Sequence, residues 1–297
     1  MASISDPYTV PYRRLVAVCG GPGEVELVEF YDCLGGAMWS RHHYRKSPLV
    51  RMVRCIGPTM RYLLLEGQVD LPLEGSRFPA GISGVARSDG QVAVTYVGLG
   101  GGGVGAAGSR AAASGIARAQ ADPCGGGRRA GATVWLPERK RVLIGIDDTD
   151  TPEEGATWTL AHRIGRAVEN DDDVYLSHTI VQLFPVRFRT KNCVAVVLEF
   201  ASGEPEALAA RVRSLLEEHT LSGETGMAVF TGFDPGALLP FAGAVKRGEV
   251  DRRAIDRVRE TEGLSVHLDG RGLIGAIAAI PFYTRYEEAL ELCSGSG

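Results

Sequence analysis

Short apolar runs bounded by glycine or polar turns fill the first part of the chain. RLVAVC and EVELVEF flank the turn Gly20-Gly21-Pro22-Gly23 and predict a hairpin over residues 13–30. Further strand-like runs fall at 49–56, 59–66 and 91–97, and residues 31–48 between them read as irregular. GLGGGGVG at 98–105 then leads into an Ala-rich helical pattern. After the glycine-rich stretch 122–131, which reads as a linker, the pattern changes. Apolar strands at 141–147, 174–184, 193–200 and 226–231 interleave with helical periodicity at 156–169, 204–219, 235–245, 251–262 and 271–280. Such alternation predicts a mixed α/β fold of layered sheets and helices. A boundary near Pro137 divides the chain into a β-rich N-terminal region, 1–136, and an α/β region, 137–297.

Composition narrows the class. The chain has 297 residues, 44% of them hydrophobic and 23% charged, which fits a folded protein of about two domains. No apolar run nears the ~18 residues of a membrane span, and the N-terminus has no signal-peptide pattern. A cytoplasmic protein without a membrane partner is expected. The cysteines are widely and irregularly spaced, with no CxxC pair, so a common structural zinc site is not expected. The net charge of −4 counts against nucleic acid as a partner. The sequence assigns no oligomeric state.

The densest chemistry lies in IGIDDTDTPEEGATWTLAHRIGRAV, residues 144–168. A strand runs directly into Asp147, Asp148 and Asp150. Carboxylates about 4 Å apart repel by ~4 kcal/mol at an effective dielectric near 20, and a hard cation offsets that repulsion. Mg²⁺ held by these three aspartates is one reading; capping of the following helix is the other. A second segment, PVRFRTKNCVAV at 185–196, offers Arg189, Thr190, Lys191 and Asn192. It is either a phosphate-binding loop or a solvated hairpin turn. Gly100, Gly101, Gly102 and Gly103 present either backbone amides for phosphate or plain turn geometry. No G-K-[ST] occurs, which excludes a Walker A loop. His42, His43 and Arg45 form a polar-aromatic cluster, read either as a surface loop or as a substrate contact.

These segments carry a resemblance. IDDTD with the following Pro, acidic residue and Thr-containing helix, the PVRFRTKN loop, and GRGLIGAIAAI at 270–280 resemble, in the same order, archaeal tRNA agmatinylcytidine synthetase over roughly 141–281. That resemblance implies a kinase-like ATP-binding module followed by a ferredoxin-like segment, ATP and Mg²⁺ as cofactors, and a phosphorylated threonine at Thr157 or Thr159. DPYTVPYRR, FYDCLGGAMWSRHHY and YVGLGGGGVGA, taken with the acidic segment, are similar to the methanogenesis marker protein 11 family over the whole chain. This second resemblance implies an archaeal protein tied to methanogenesis, with a methanogenesis protein as a possible partner. The expected activity is ATP- and Mg-dependent phosphoryl or nucleotidyl transfer to an unassigned acceptor. A non-catalytic nucleotide-binding assembly or maturation factor and an RNA-modifying enzyme are the alternatives.

Overall fold

The computed structural model describes residues 9–21 and 23–291, so the turn residue Pro22 and Cys293 lie outside the described residues. Two units divide at Arg139 and Lys140. The first contains β1 (Arg14–Cys19), β2 (Glu24–Phe30), α1 (Leu34–Tyr44), β3 (Val50–Ile56), β4 (Thr59–Leu65), β5 (Gly67–Gln68), β6 (Ala80–Ser88), β7 (Gln91–Leu99), α2 (Gly101–Val104), β8 (Arg118–Ala121) and the start of β9 (Arg129–Asp147). Its strand order is β3-β4-β2-β1-β9-β7-β6-β5, with β8 paired to β9. Leu15, Leu27, Tyr62, Ile82 and Val94 are buried in its core.

Several expectations change here. Residues 34–44 are helical: the Cys33 thiol caps the helix by accepting from the Gly36 amide at 3.4 Å. Two glycines in its first turn and no acidic residue there hid this helix from propensity. Residues 122–128 form the turn between paired strands β8 and β9, and 129–131 already belong to β9, so the stretch is not a linker. The Ala-rich pattern after the glycines gives α2 and a π-turn over Gly105–Ser109, then gives way to β8. Strand β7 pairs antiparallel with β9, so no parallel βαβ unit surrounds the glycine segment.

The second unit continues β9 into α3 (Thr157–Val168), β10 (Asp173–Gln182), β11 (Val194–Ser202), α4 (Pro205–His219), β12 (Gly226–Thr231), α5 (Leu239–Arg247), α6 (Ala254–Val258), β13 (Leu264–Asp269), α7 (Leu273–Ala279) and α8 (Tyr286–Leu290). Strand order is β10-β11-β9-β12-β13, with every pair antiparallel. From β9 to β12 the succession is βαββαβ, the ferredoxin-like arrangement, and it contains the acidic loop. The period-two alternation of β9 sends Val142, Ile144 and Ile146 to the face covered by α3 and α4. Leu143 faces the opposite layer, which holds α5 and α7. Gly145 is what lets α7 lie flat on that face: a Cβ there would sit 1.9 Å from the Ala276 carbonyl oxygen. The mixed α/β character expected from the sequence is what forms. Strand β13 leaves little local signal, because its short half-buried alternation, LSVHLD, lacks a continuous apolar run. Among the described residues no helix is long and apolar enough to cross a membrane.

Candidate functional site

Strand β9 ends at Asp147, opposite Gly226 of β12. The chain then turns sharply through Asp148, whose φ of 54° is left-handed and costs a non-glycine residue of order 1 kcal/mol or more. The turn is held from three sides. The Asp148 amide donates to Asp147 Oδ1 at 2.8 Å, and the Thr225 hydroxyl donates to the Asp148 carbonyl at 2.9 Å. The Thr149 amide and hydroxyl both donate to Thr157 Oγ1, at 3.2 and 3.1 Å. The N-cap of α3 is Ala156, with no side-chain cap and no acidic residue in the first turn. The aspartates therefore do not cap this helix.

The acidic loop and the basic loop face one another across a cavity of about 380 Å³. The Thr190 hydroxyl donates to Asp150 Oδ1 at 2.9 Å. Lys191 Nζ donates to the Gly155 carbonyl at 2.7 Å and lies 3.7 Å from Asp150 Oδ2. Arg189 donates to the Val186 carbonyl at 2.9 Å, which folds the loop on itself. Asp147, Asp148, Asp150, Arg189, Thr190, Lys191 and Asn192 all line the cavity. Of the two candidate threonines, Thr157 lines it and is buried, whereas Thr159 is not part of the lining.

Burial holds the Asp147 carboxyl well above the usual carboxylate range, with the neighbouring charge of Asp148 adding to the shift. Burial also raises Asp148; the Arg271 guanidinium opposes this, and Asp150 and Glu224 reinforce it. Two carboxyls held above their ordinary range at the end of a strand form a site with an unmet demand for positive charge. Among the described residues, no group of three Asp, Glu, His or Cys side chains is arranged to hold a metal ion. Asp150 is instead engaged by Thr190 and Lys191.

Sequence reasoning missed Arg271. Its Nε lies 3.3 Å from Glu224 Oε2, and its guanidinium sits 5.5 Å above the Phe188 ring. Glycines place it. A Cβ at Gly275 would meet Asp147 Oδ2 at 1.8 Å, and one at Gly272 would meet the Asp147 carbonyl oxygen at 2.6 Å. The start of α7 thus lies directly against the acidic loop. Exposed Trp158, Phe184 and Phe188 were also missed; all three line the cavity. The aromatic residues interleaved with RFRTK were the available signal.

The remaining candidates belong to the N-terminal unit. Gly98, Gly102 and Gly103 serve close backbone packing: a Cβ at Gly98 would lie 2.5 Å from the Gly102 carbonyl carbon. Gly100 takes φ 55°, and a Cβ on Gly101 would meet open space. His42 is exposed, while His43 is buried with its ring 4.5 Å from that of Trp39. Arg45 is exposed and forms the C-cap of α1. The two histidines are thus neighbours on helix α1, in a stretch that reads as irregular in the sequence.

Residues 143–209 match a family model described as the TiaS TCKD domain. Over 297 aligned residues the chain is 38% identical to the uncharacterized protein MJ0921 of Methanocaldococcus jannaschii, covering 96% of this chain and 98% of that protein. TiaS in a crystal structure of its complex with tRNA and ATP is 25% identical over 48% of this chain, with a TM-score of 0.44. A tRNA fluorescent labelling enzyme is 26% identical over the same share, with a TM-score of 0.43. The chain spans 36% of the length of each of these two structures. These findings give no support for a methanogenesis marker family or for a methanogenesis role. The match to the TiaS TCKD domain corrects the expectation against nucleic acid as a partner. The physical reason is averaging: a net charge of −4 is a sum over the whole chain and does not register Arg189, Lys191 and Arg271, which line one cavity with the exposed rings of Trp158 and Phe188.

Proposed function

The chain belongs to the same family as the M. jannaschii protein MJ0921, and from that footing we propose that its C-terminal unit binds ATP and uses it to modify RNA. The observation that carries this reading is convergence. Three segments distant in sequence, the acidic loop, the basic loop and the start of α7, line one cavity. Each supplies what a nucleotide triphosphate needs. Arg189, Lys191 and Arg271 offer charge-assisted donors to phosphate oxygens. Leu183, Val186, Val245 and Val250 offer an apolar wall to a base. The TCKD match over 143–209 covers the acidic and basic loops, although not Arg271.

Mg²⁺ fits the donor set. It is commonly held by one or two carboxylates plus substrate phosphates and waters, so a three-residue cage is not required. Asp147 and Asp148 would hold it, and the bound ion would neutralise charge on the transferring phosphoryl group. Catalysis of such transfers is mostly positioning and electrostatics. Thr157 is the better-placed hydroxyl for covalent phosphorylation: its oxygen accepts from Thr149, which leaves its own proton free to be directed at the cavity.

The RNA side of the proposal rests on the mouth of the cavity. Trp158 is 49% exposed and Phe188 45%, and the basic residues lie beside them. Aromatic rings interleaved with Arg and Lys suit unpaired bases and their phosphates. The test is calorimetric titration of ATP with and without Mg²⁺, on the wild type and on Asp147→Asn/Asp148→Asn, followed by transfer of label from γ-labelled ATP to tRNA or to the protein. Mg-dependent binding lost in the variant, with label on RNA, is expected. Binding without any transfer would favour a non-catalytic nucleotide-binding factor. No ATP binding under any condition would overturn the proposal.

A further inference from the structure

An open cavity of about 460 Å³ lies on the N-terminal unit, among α1, the loop before β6 and the glycine segment. Trp39 of α1 lines it together with Gly75, Gly100, Gly101 and Gly127. A Cβ at Gly75, Gly101 or Gly127 would meet nothing within 4 Å, so a ligand chain can come close to bare backbone here. Trp39 is 41% exposed and yet held in place. Its ring lies 4.5 Å from that of buried His43, and a Cβ at Gly102 would come within 3.2 Å of its Cη2. A large ring already fixed by packing loses little freedom when a planar group stacks on its open side.

The charge around this ring is one-sided. The segments that contribute the lining, residues 39–46, 74–79, 99–102 and 127–129, contain Arg41, Arg45, Lys46, Arg77, Arg128 and Arg129 but a single carboxylate, Glu74. The chain as a whole carries a net charge of −4. Backbone contacts place several of these residues beside the cavity. The Arg128 carbonyl accepts from the Gly100 amide at 3.2 Å, and Arg129 pairs with Leu99 across the β7–β9 ladder. Lys46 Nζ donates to the Arg77 carbonyl at 2.6 Å, which ties the end of α1 to the loop carrying Gly75. Two of the arginines have acidic partners, Arg77 with Glu74 at 3.2 Å and Arg129 with Asp70 at 3.1 Å, and all four side chains are at least half exposed. Exposed pairs of this kind are weak, and a phosphate can replace the carboxylate.

A fixed, exposed ring among basic side chains, beside bare backbone, matches what a single nucleic-acid strand presents: base faces at intervals along a phosphate chain. An acidic peptide would use the charge and leave Trp39 idle. We infer that this face of the N-terminal unit is a binding surface for single-stranded RNA, on which Trp39 stacks a base and Arg77 and Arg128 contact phosphates. It lies outside residues 143–209, the part matched by the TCKD family model. The inference rests on the RNA reading of the C-terminal unit for the nature of the strand, and adds a contact made by the other unit.

The test is fluorescence anisotropy of a labelled, unstructured octauridine titrated with the full chain at several salt concentrations. The variants are Trp39→Ala, Trp39→Phe and Arg128→Gln, with Arg51→Gln on edge strand β3 and Phe188→Ala in the C-terminal unit as comparisons; thermal unfolding checks that each is folded. Trp39→Ala should weaken binding at least fivefold, and Trp39→Phe should keep most of the affinity because a ring remains. Arg128→Gln should lower the slope of log K against log salt by about 0.7, and Arg51→Gln should leave it unchanged. ATP affinity should be that of the wild type in all four N-terminal variants. Octauridine binding that falls in Phe188→Ala and is untouched in Trp39→Ala would overturn this inference and leave the RNA reading of the C-terminal unit standing. No octauridine binding by the wild type would overturn both. Polyglutamate that displaces the RNA at an equal concentration of charge would show attraction to any polyanion, and would overturn the assignment to RNA.

Discussion

The Thr190 hydroxyl donates to Asp150 Oδ1 at 2.9 Å, joining the basic loop to the acidic loop across 40 residues of sequence. Lys191, one residue on, reaches back to Gly155. The basic loop is therefore held over the cavity from the acidic side, by a bond that involves a charged acceptor. Such bonds contribute about 1.5–3 kcal/mol. Thr190→Val should weaken ATP binding by roughly tenfold and lower the melting temperature by several degrees. Calorimetry and thermal unfolding on the same variant check this. ATP affinity equal to wild type would mean that the loop needs no such anchor.

Gly275→Ala sets two effects against one another. Alanine favours a helix over glycine by about 1 kcal/mol. The added Cβ, however, would sit 1.8 Å from Asp147 Oδ2. Overpacking of that kind costs about 1–3 kcal/mol, and here the atom displaced is a carboxylate of the site. The variant should unfold several degrees lower and lose ATP affinity by at least tenfold. Gly101→Ala, which enters open space in the other unit, should do neither.

The strand–helix alternation from 141 to 231 was legible because β-branched runs and helical periodicity are local signals. The acidic and basic loops were legible as charge patterns, and they do meet in one cavity. Helix α1 was not legible, because its cap is a cysteine and its first turn holds two glycines. Arg271 was hidden for another reason. Its place depends on how closely Gly272 and Gly275 let α7 approach Asp147, and no local pattern encodes a contact between the end of one strand and a helix more than a hundred residues later. Exposure of Trp158 and Phe188 is likewise a tertiary outcome, since apolar residues are by default assigned to the core.

RNA binding should separate into two contributions. Stacking on a ring is worth about 1–3 kcal/mol per base, so Phe188→Ala or Trp158→Ala should weaken single-stranded RNA binding by roughly 5- to 150-fold. Loss of a phosphate contact should instead lower the salt dependence, by about 0.7 in the slope of log K against log salt for single strands. Arg187→Gln is the variant for that measurement, because Arg187 is exposed and does not line the cavity. Filter binding at several salt concentrations reads both effects. A salt slope near zero in the wild type would remove the electrostatic part of the RNA proposal.

His178 gives a pH dependence whose sign can be worked out. It sits mid-strand in β10, with its ring 5.5 Å from that of His162, and His162 Nδ1 is 3.1 Å from the Tyr175 hydroxyl. Its Nε2 is buried without a hydrogen-bond partner. Burial, aided by the charge of His162, lowers its pKa from 6.5 to about 4. The folded state therefore binds this proton less readily than the unfolded state does. Above pH 6.5 both states are neutral at His178 and it contributes no pH dependence. As pH falls from 6.5 towards 4 the unfolded chain takes up the proton first, and stability falls with it. The full shift corresponds to about 3 kcal/mol. Asp147 and Asp148 act oppositely: their carboxyls are raised in the folded state, so the acidification that protonates them there favours folding. The informative quantity is consequently a difference. Chemical denaturation of the wild type and of His178→Phe at pH 7.5 and pH 4.5 should show the variant losing less stability on acidification, by about 2–3 kcal/mol. Equal losses in the two proteins would mean that His178 is protonated as readily in the folded strand as in the open chain.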